Sequence, residues 1–437
     1  MDIEIIAAVA LLAGVVISLG AARVTVTVRA AVLLGAAALL ALAAPTLALF
    51  AAVAVVTATA VDAFLARTPP RVERHASTHL ARGVPTALTI DSTGGAGSLR
   101  LRQPLVPDIE VSPVEADREL DAVVRARRRG RHVLPAVATR VTGPLGLAAW
   151  YRQAGEAADV LVYPDLPAAR RLALAVRQGR FRDPGRLTRG PLGLGTDFES
   201  IREYLPDDDV RQVNWRATAR LGRPMSNQYR VEQDRDVVCV LDTGRLMAAP
   251  VGNLTRLDAT VDAAAAVAMV ADEVGDRCGV VAFDGEVRRH LPPRRSGGDA
   301  VVRAVFDVEP RSVESDYELA FRTVGRGKRA FVLVLTDLLE EAAAEPLAEA
   351  MPVLARRHAV VVASVADPDL EHAVRTPPVH TADVYTAAVA LDVLAARARV
   401  AAQLRRSGAQ DVIEAPPDRL AGACVGAYLR AKARARL

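Results

Sequence analysis

The sequence is poor in aromatic residues, which make up 4% of its 437 residues, and poor in cysteine, with three. Cys239, Cys278 and Cys424 lie far apart, two of them inside apolar runs. An odd, scattered set argues against a disulfide framework or a zinc site and fits a reducing compartment. An excess of one charge is also lacking: 55 basic and 51 acidic residues leave +4. The arginines behind that excess are spread along the chain, so no nucleic-acid partner is read from them. A phosphate-binding loop is missing too. "GRGKRA" offers Gly327 and Lys328 without the earlier glycine or the hydroxyl residue, and the chain does not read as an ATPase. His75 and His79 have the i,i+4 spacing of a helical metal pair, but no third ligand is in sight, and they read as solvated. The length suggests two or three domains, and 24% charged residues fit a folded chain.

What is present first is a long apolar start. Ile5 to Leu19 and Ala30 to Val61 carry no charge, and Pro45 falls near the middle of the second run. A membrane-crossing helix takes roughly 20 apolar residues. Residues 1–66 therefore read as a transmembrane segment of about three helices, the last two forming a hairpin that turns near Ala43 to Thr46. Its first arm is short, so a two-span arrangement stays open. Arg23 and Arg29 lie in the first connection, and Arg67, Arg71 and Arg74 follow the last span. The positive-inside rule puts both groups on the cytoplasmic side. The expectation is a multi-pass protein of the inner (cytoplasmic) membrane, in contact with the lipid bilayer, with its soluble domains in the cytoplasm. A cleaved signal peptide fits less well, because a positive leading region is missing. Asp62 is expected at the membrane interface.

Residues 75–165 change to short alternating runs such as "TALTI", "SLRLR" and "DVLVYP", separated by Gly, Pro and Asp. They read as a small β-sandwich. After Arg235, apolar strands alternate with amphipathic helices: "DVVCVLD", "CGVVAFD", "RAFVLVLTD", "AVVVASV" and "DVIEA" among them. Continuous apolar strands of this kind imply a mostly parallel, doubly wound α/β sheet over residues 236–437. Ligand sites in such sheets lie beyond the carboxyl ends of the strands. That rule selects Asp242 and Asp337, with Asp316 at a helix start between them. The terminal "RAKARARL" reads as a solvated helix end matched to the helix dipole.

Between these domains, residues 166–235 hold a distinctive block. Gly195, Phe198, Arg202, Glu203, Tyr204, Pro206, Asp208, Asp209, Arg211, Trp215, Ala219 and Arg220 fall in order within "GTDFESIREYLPDDDVRQVNWRATARLG". With Arg129-Gly130, Pro144 to Leu147 and Val160 to Pro164 upstream, this pattern resembles the bacterial family catalogued as domain of unknown function fifty-eight. Asp197, Asp207 and Asn214 depart from its pattern. The block alternates carboxylates and arginines around aromatics. It reads either as a clamp between the domains or as a partner-binding surface built by Arg202, Tyr204, Asp208, Asp209, Arg211, Trp215 and Arg220, joined by Arg245.

The resemblance implies that the last domain is a von Willebrand A-type (Rossmann-like) domain. Such domains hold Mg²⁺ with an Asp-x-Ser-x-Ser loop, a Thr and an Asp. Here Asp242 and Asp337 match the first and last positions, Asp316 stands at the Thr position, and Gly244 and Leu246 replace the serines. Three carboxylates can satisfy an octahedral cation, but Arg245 can neutralise Asp316 or Asp337 instead. An altered Mg²⁺ site and a degenerate, metal-free one both stay open, and Asp242 can simply cap its own loop. Members of the family are membrane-tethered and are thought to act with MoxR-type AAA+ ATPases. The resemblance thus implies a non-enzymatic adaptor in chaperone-like complex assembly. The alternatives are a metal-dependent hydrolase using the three aspartates and a structural protein with a decayed site.

Overall fold

In this computed structural model the described residues are 24–95, 97–182, 197–205, 213–230, 234–325, 328–338 and 341–433. The chain divides between Val162 and Tyr163 into two compact units.

The first unit opens with two apolar helices, Val28–Leu40 and Pro45–Leu65, which pack on each other. Thr27 caps the first, accepting from the Ala30 N–H, and Pro45 starts the second where a missing N–H is harmless. The second helix has 21 residues and a mean hydropathy of 2.1. At 1.5 Å per residue it is about 32 Å long, enough to cross a bilayer core. Its large side chains face outward, with Phe50 75% and Leu47 64% exposed. The expected span within Ile5 to Leu19 lies outside the described residues.

Antiparallel strands follow. Arg71–Ala76, Thr86–Thr93, Glu119–Ala126 and Ile109–Ser112 pair in that order as one sheet. Val24–Val26, Ala148–Ala154, Val137–Thr142, Ser98–Arg102 and Glu115–Asp117 form another. A smaller sheet holds His79–Ala81, Ala158–Tyr163 and Gly130–Leu134. Period-two alternation builds the core: Leu120, Ala122, Val124 and Ala126 point inward from Glu119–Ala126, against Leu88, Ile90, Leu99 and Leu101. His75 and His79 sit on two separate strands, so their helical spacing does not make a metal pair; the His75 ring lies 3.9 Å from Asp91.

Asp62 is fully buried rather than set at an interface. Its carboxylate accepts the backbone N–H groups of Leu145 (2.7 Å), Leu147 (2.8 Å) and Ala148 (2.9 Å). From the other side of the same turn, the Thr27 hydroxyl donates to the Gly146 carbonyl at 2.6 Å. The ends of both apolar helices are therefore bonded to the turn "TGPLGL" of the β-structure.

The second unit is a mixed α/β layer structure. The six strands of its main sheet are β1 (Asp236–Asp242), β2 (Arg277–Phe283), β3 (Val287–Arg294), β4 (Ala330–Leu335), β5 (Ala359–Val365) and β6 (Asp411–Ala415). They lie in the order β3-β2-β1-β4-β5-β6, parallel except for the edge strand β3. β4 and β5 are buried at every position, as strands covered on both faces must be. Alternate residues serve opposite cores. Val237, Cys239 and Leu241 face α1 (Leu166–Arg177), α2 (Arg256–Glu273) and, further along the chain, the terminal helix. Val238 and Val240 face α3 (Tyr317–Val324), α4 (Glu341–Ala355) and α5 (Thr381–Arg406). The terminal helix is α6 (Pro417–Ala433). The sequence order of strands and helices matches the expectation.

α2 is buried nearly all round because its alanines allow close approach to the sheet, and Thr255 with Asp258 closes a capping box at its start. All three cysteines are free and buried, and burial pushes the Cys239 thiol up to about 12. The long helix α5 has two characters. Ala390, Arg397, Val400, Ala401 and Leu404 are buried, whereas its first two turns are exposed.

Candidate functional site

The strand order reverses between β1 and β4, and this is where a parallel sheet opens a crevice at its carboxyl edge. β1 delivers Asp242 there, β4 delivers Thr336 and Asp337, and the loop before α3 delivers Ser315, Asp316 and Tyr317.

Asp242 is 2% exposed and its carboxylate is fully engaged. Oδ1 accepts from the Gly244 N–H at 2.8 Å and the Ser315 hydroxyl at 2.5 Å. Oδ2 accepts from the Thr336 hydroxyl at 2.6 Å and the Tyr317 hydroxyl at 3.1 Å. Burial raises its pKa, and these four donors pull the other way. Burial, with the Asp242 charge next in importance, also holds the Tyr317 phenol well above its ordinary value. The Gly244 bond is the loop cap expected of Asp242. Glycine at 244 has a steric reason as well: a Cβ there would lie 2.1 Å from Ser315 Oγ. The hydroxyl missing from position 244 is thus supplied from across the site by Ser315.

Asp337 meets a different environment. Its Oδ1 accepts from Arg256 Nη1 (2.9 Å), Arg397 Nη2 (3.0 Å), Ser364 Oγ (3.3 Å) and the Leu338 N–H (2.9 Å). Both guanidinium groups also donate to the Val365 carbonyl, at 3.0 and 3.3 Å. The side chains of Arg256, Arg397 and Asp337 are all at most 4% exposed. Burial lowers the Arg256 pKa and raises that of Asp337, with their attraction opposing both changes. Asp367 stands 3.9 Å from Arg256 at the partly exposed margin.

The three expected carboxylates therefore do not act as one set. Asp316 is exposed and caps α3, accepting from the Leu319 N–H at 2.9 Å. Arg245 neutralises neither Asp316 nor Asp337; it pairs with Glu314 at 2.5 Å on the surface. Among the described residues no group of three His, Cys, Asp or Glu side chains is placed to hold a metal. One fully engaged carboxylate beside two guanidinium groups is a poor fit for Mg²⁺, which wants several oxygen ligands. Beside the site, an open groove of about 550 Å³ is lined by Ser315, Tyr317, Pro346, Ala350 and Val353, with Glu314, Asp316, Glu318 and Glu349 around it.

The signature block forms a hairpin, Asp197–Glu203 with Met225–Arg230, and a short helix, Trp215–Leu221. Arg202 and Tyr204 are half-buried, Trp215 is 70% exposed and Arg220 is exposed. Asp208, Asp209 and Arg211 lie outside the described residues. Asn214 keeps a capping role, accepting from the Ala217 N–H at 2.9 Å, which either Asn or Asp can do.

Sequence reasoning missed Arg256, Arg397, Ser315, Tyr317 and Thr336. Arg256 gave a signal: a cation at the first position of a helix opposes the dipole and needs an acidic partner. Arg397 gave another, since it lies seven residues from both Ala390 and Leu404 and shares their buried stripe.

Comparison with known proteins bears on the second unit. An uncharacterized protein of Mycobacterium tuberculosis and one of Mycobacterium bovis are each 28% identical over 218 residues. The match covers 47% of this chain and 66% of the relative, so the chain spans just under two thirds of the relatives' length. A solved structure, "Bacteroides ovatus GH5 xyloglucanase in complex with a XXXG heptasaccharide", aligns over 78% of this chain and 65% of its own at 11% identity. Its TM-score of 0.17 carries no argument. Residues 200–410, which include most of the hairpin, β1 to β5 and all the switch-point residues, match the family described as "Protein of unknown function DUF58".

Proposed function

We propose that the chain is a membrane-anchored adaptor that presents the switch-point end of its α/β unit to a partner protein. The observation that carries this reading is the exposed first half of α5. Val384 (52%), Tyr385 (71%), Val389 (63%) and Leu391 (53%) put apolar side chains in solvent there, and Val379 just before the helix is 82% exposed. Exposed apolar patches on folded proteins mark interaction surfaces. The same helix carries Arg397, on its buried side, into the switch point.

The strand order and the positions of Asp242, Ser315, Thr336 and Asp337 support a von Willebrand A-type reading of the unit. On that reading, and by the family resemblance, the partner is a MoxR-type AAA+ ATPase and the role is chaperone-like assembly. The outward apolar faces of Val28–Leu40 and Pro45–Leu65 support anchoring in a bilayer, with the soluble units on the cytoplasmic side of the inner membrane. Full engagement of Asp242, and burial of Asp337 against two guanidinium groups, favour docking over metal-dependent hydrolysis.

The test is purification of the tagged chain from its native membranes and identification of what accompanies it. A MoxR-type ATPase should be recovered with the wild type and lost with Tyr385→Asp/Val389→Asp. Recovery that survives this change moves the docking surface to the hairpin around Trp215. Absence of any ATPase after crosslinking rejects the adaptor reading.

A further inference from the structure

We infer that Arg256 and Arg397 take the place of a divalent cation at the switch point, so that this site works with a built-in cation and binds no metal. The inference does not depend on docking: a chain without any partner would give the same result in the test below.

The geometry begins with Asp337. A cation site at this edge of the sheet needs its carboxylates free to face an ion. Asp337 instead gives one oxygen to two guanidinium groups at 2.9 and 3.0 Å. The same two groups converge on the Val365 carbonyl at the end of β5. A carboxylate oxygen and a backbone carbonyl are the ligand types that a hard cation takes. Here N–H donors fill both. Asp242, one strand away, has each oxygen occupied by two donors, and the Thr336 hydroxyl that engages it belongs to the residue next to Asp337.

Charge leads to the same result. Two buried guanidinium groups lie against Asp337, with Asp367 at the margin, and put positive charge where an ion would sit. A metal ion added beside them would meet repulsion with little screening. The cluster also holds atoms that a purely structural ion pair would be expected to satisfy. Asp337 Oδ2, Arg256 Nε and Arg397 Nε are buried with no hydrogen-bond partner. Buried orphans are rare in folded proteins, and the unmet Asp337 oxygen is where a cation would bind once the guanidinium groups are removed.

The test uses the full chain purified in detergent, with Mn²⁺ as the probe, read by calorimetry and by thermal unfolding. The wild type should take up no Mn²⁺ that Asp242→Asn removes, and its unfolding midpoint should be the same in Mn²⁺ and in EDTA. Arg256→Gln/Arg397→Gln should gain one Mn²⁺ site, at least about tenfold tighter than any wild-type uptake. Mn²⁺ should then raise its midpoint by roughly 2–4 °C, and adding Asp337→Asn should abolish the gain. Arg256→Gln alone keeps one amide donor and carries the gain test if the double variant fails to fold. Stoichiometric Mn²⁺ uptake by the wild type, lost in Asp242→Asn, overturns the inference. So do folded arginine variants that gain no affinity, which would leave the triad as a packing device. Should neither variant fold, the wild-type titration alone is decisive.

Discussion

A Cβ placed on Gly143 would lie 2.2 Å from Oδ1 of Asp62. The end of an apolar helix and a turn of the β-structure thus share one space, which stays open only while position 143 has no side chain. Gly143→Ala should push the carboxylate away from the Leu145, Leu147 and Ala148 N–H groups. The expected loss is about 2–4 kcal/mol, since charge-assisted bonds contribute about 1.5–3 kcal/mol each and do not all disappear. Limited proteolysis and thermal unfolding in detergent would read it. Because Gly143→Ala and Asp62→Ala break the same contact, the double variant should lose much less than the sum. Additive losses would show that the two residues act separately.

Thr336→Val removes a donor from Asp242 and a partner from the Tyr317 hydroxyl, which lies 2.9 Å away. A loss of about 1–3 kcal/mol in denaturant unfolding is expected, as for an unmet buried carboxylate bond. Thr336→Ser should restore most of it. A Val variant as stable as the wild type would mean that Asp242 finds another donor.

Magnitude separates the two arginine environments of the second unit. Arg397→Met leaves Asp337 paired with Arg256 but removes buried charged hydrogen bonds to Asp337 and the Val365 carbonyl, which contribute about 1.5–3 kcal/mol each. Arg245→Ala removes a surface pair whose side chains are 44% and 71% exposed, and should change stability by less than about 1 kcal/mol. Equal effects in chemical denaturation would contradict the burial argument.

His358 is buried, and its Nδ1 accepts from the Ala330 N–H at 3.2 Å. Burial holds its pKa below the ordinary 6.5. The folded state therefore resists a proton that the unfolded chain accepts. Its contribution is fully present above pH 6.5 and is lost as the pH falls through the unfolded value toward the lower folded one. The slope from this residue is at most about 1.4 kcal/mol per pH unit. His358→Gln should be less stable at about pH 7.5 but lose less on going to about pH 5.5. Parallel losses in the two proteins would assign the pH response to other groups.

The element order of the α/β unit was legible because its strands are unbroken apolar runs, such as Ala330–Leu335, between helices of clear periodicity. The positions of Asp242 and Asp337 at strand ends were legible for the same reason. Their chemistry was not. What occupies Asp337 comes from Arg256 and Arg397, 81 and 60 residues away in the chain. Only the closed sheet brings these together, and a sequence shows a carboxylate's neighbours but not its partners in space. The partners of Asp62 were hidden for a related reason. Near the end of an apolar helix it looked interfacial, and nothing local signals three backbone donors more than 80 residues on.

The antiparallel edge strand β3 has a consequence for association. Its sequence is "VRRHLPPR", with Arg289, His290, Pro292 and Arg294 exposed. Proline offers no N–H to an incoming strand, and the arginines of a second copy would repel across a shared edge. A parallel sheet this apolar would otherwise invite growth from chain to chain at this edge. With β3 as its margin on this side, the sheet does not offer that edge to a second copy.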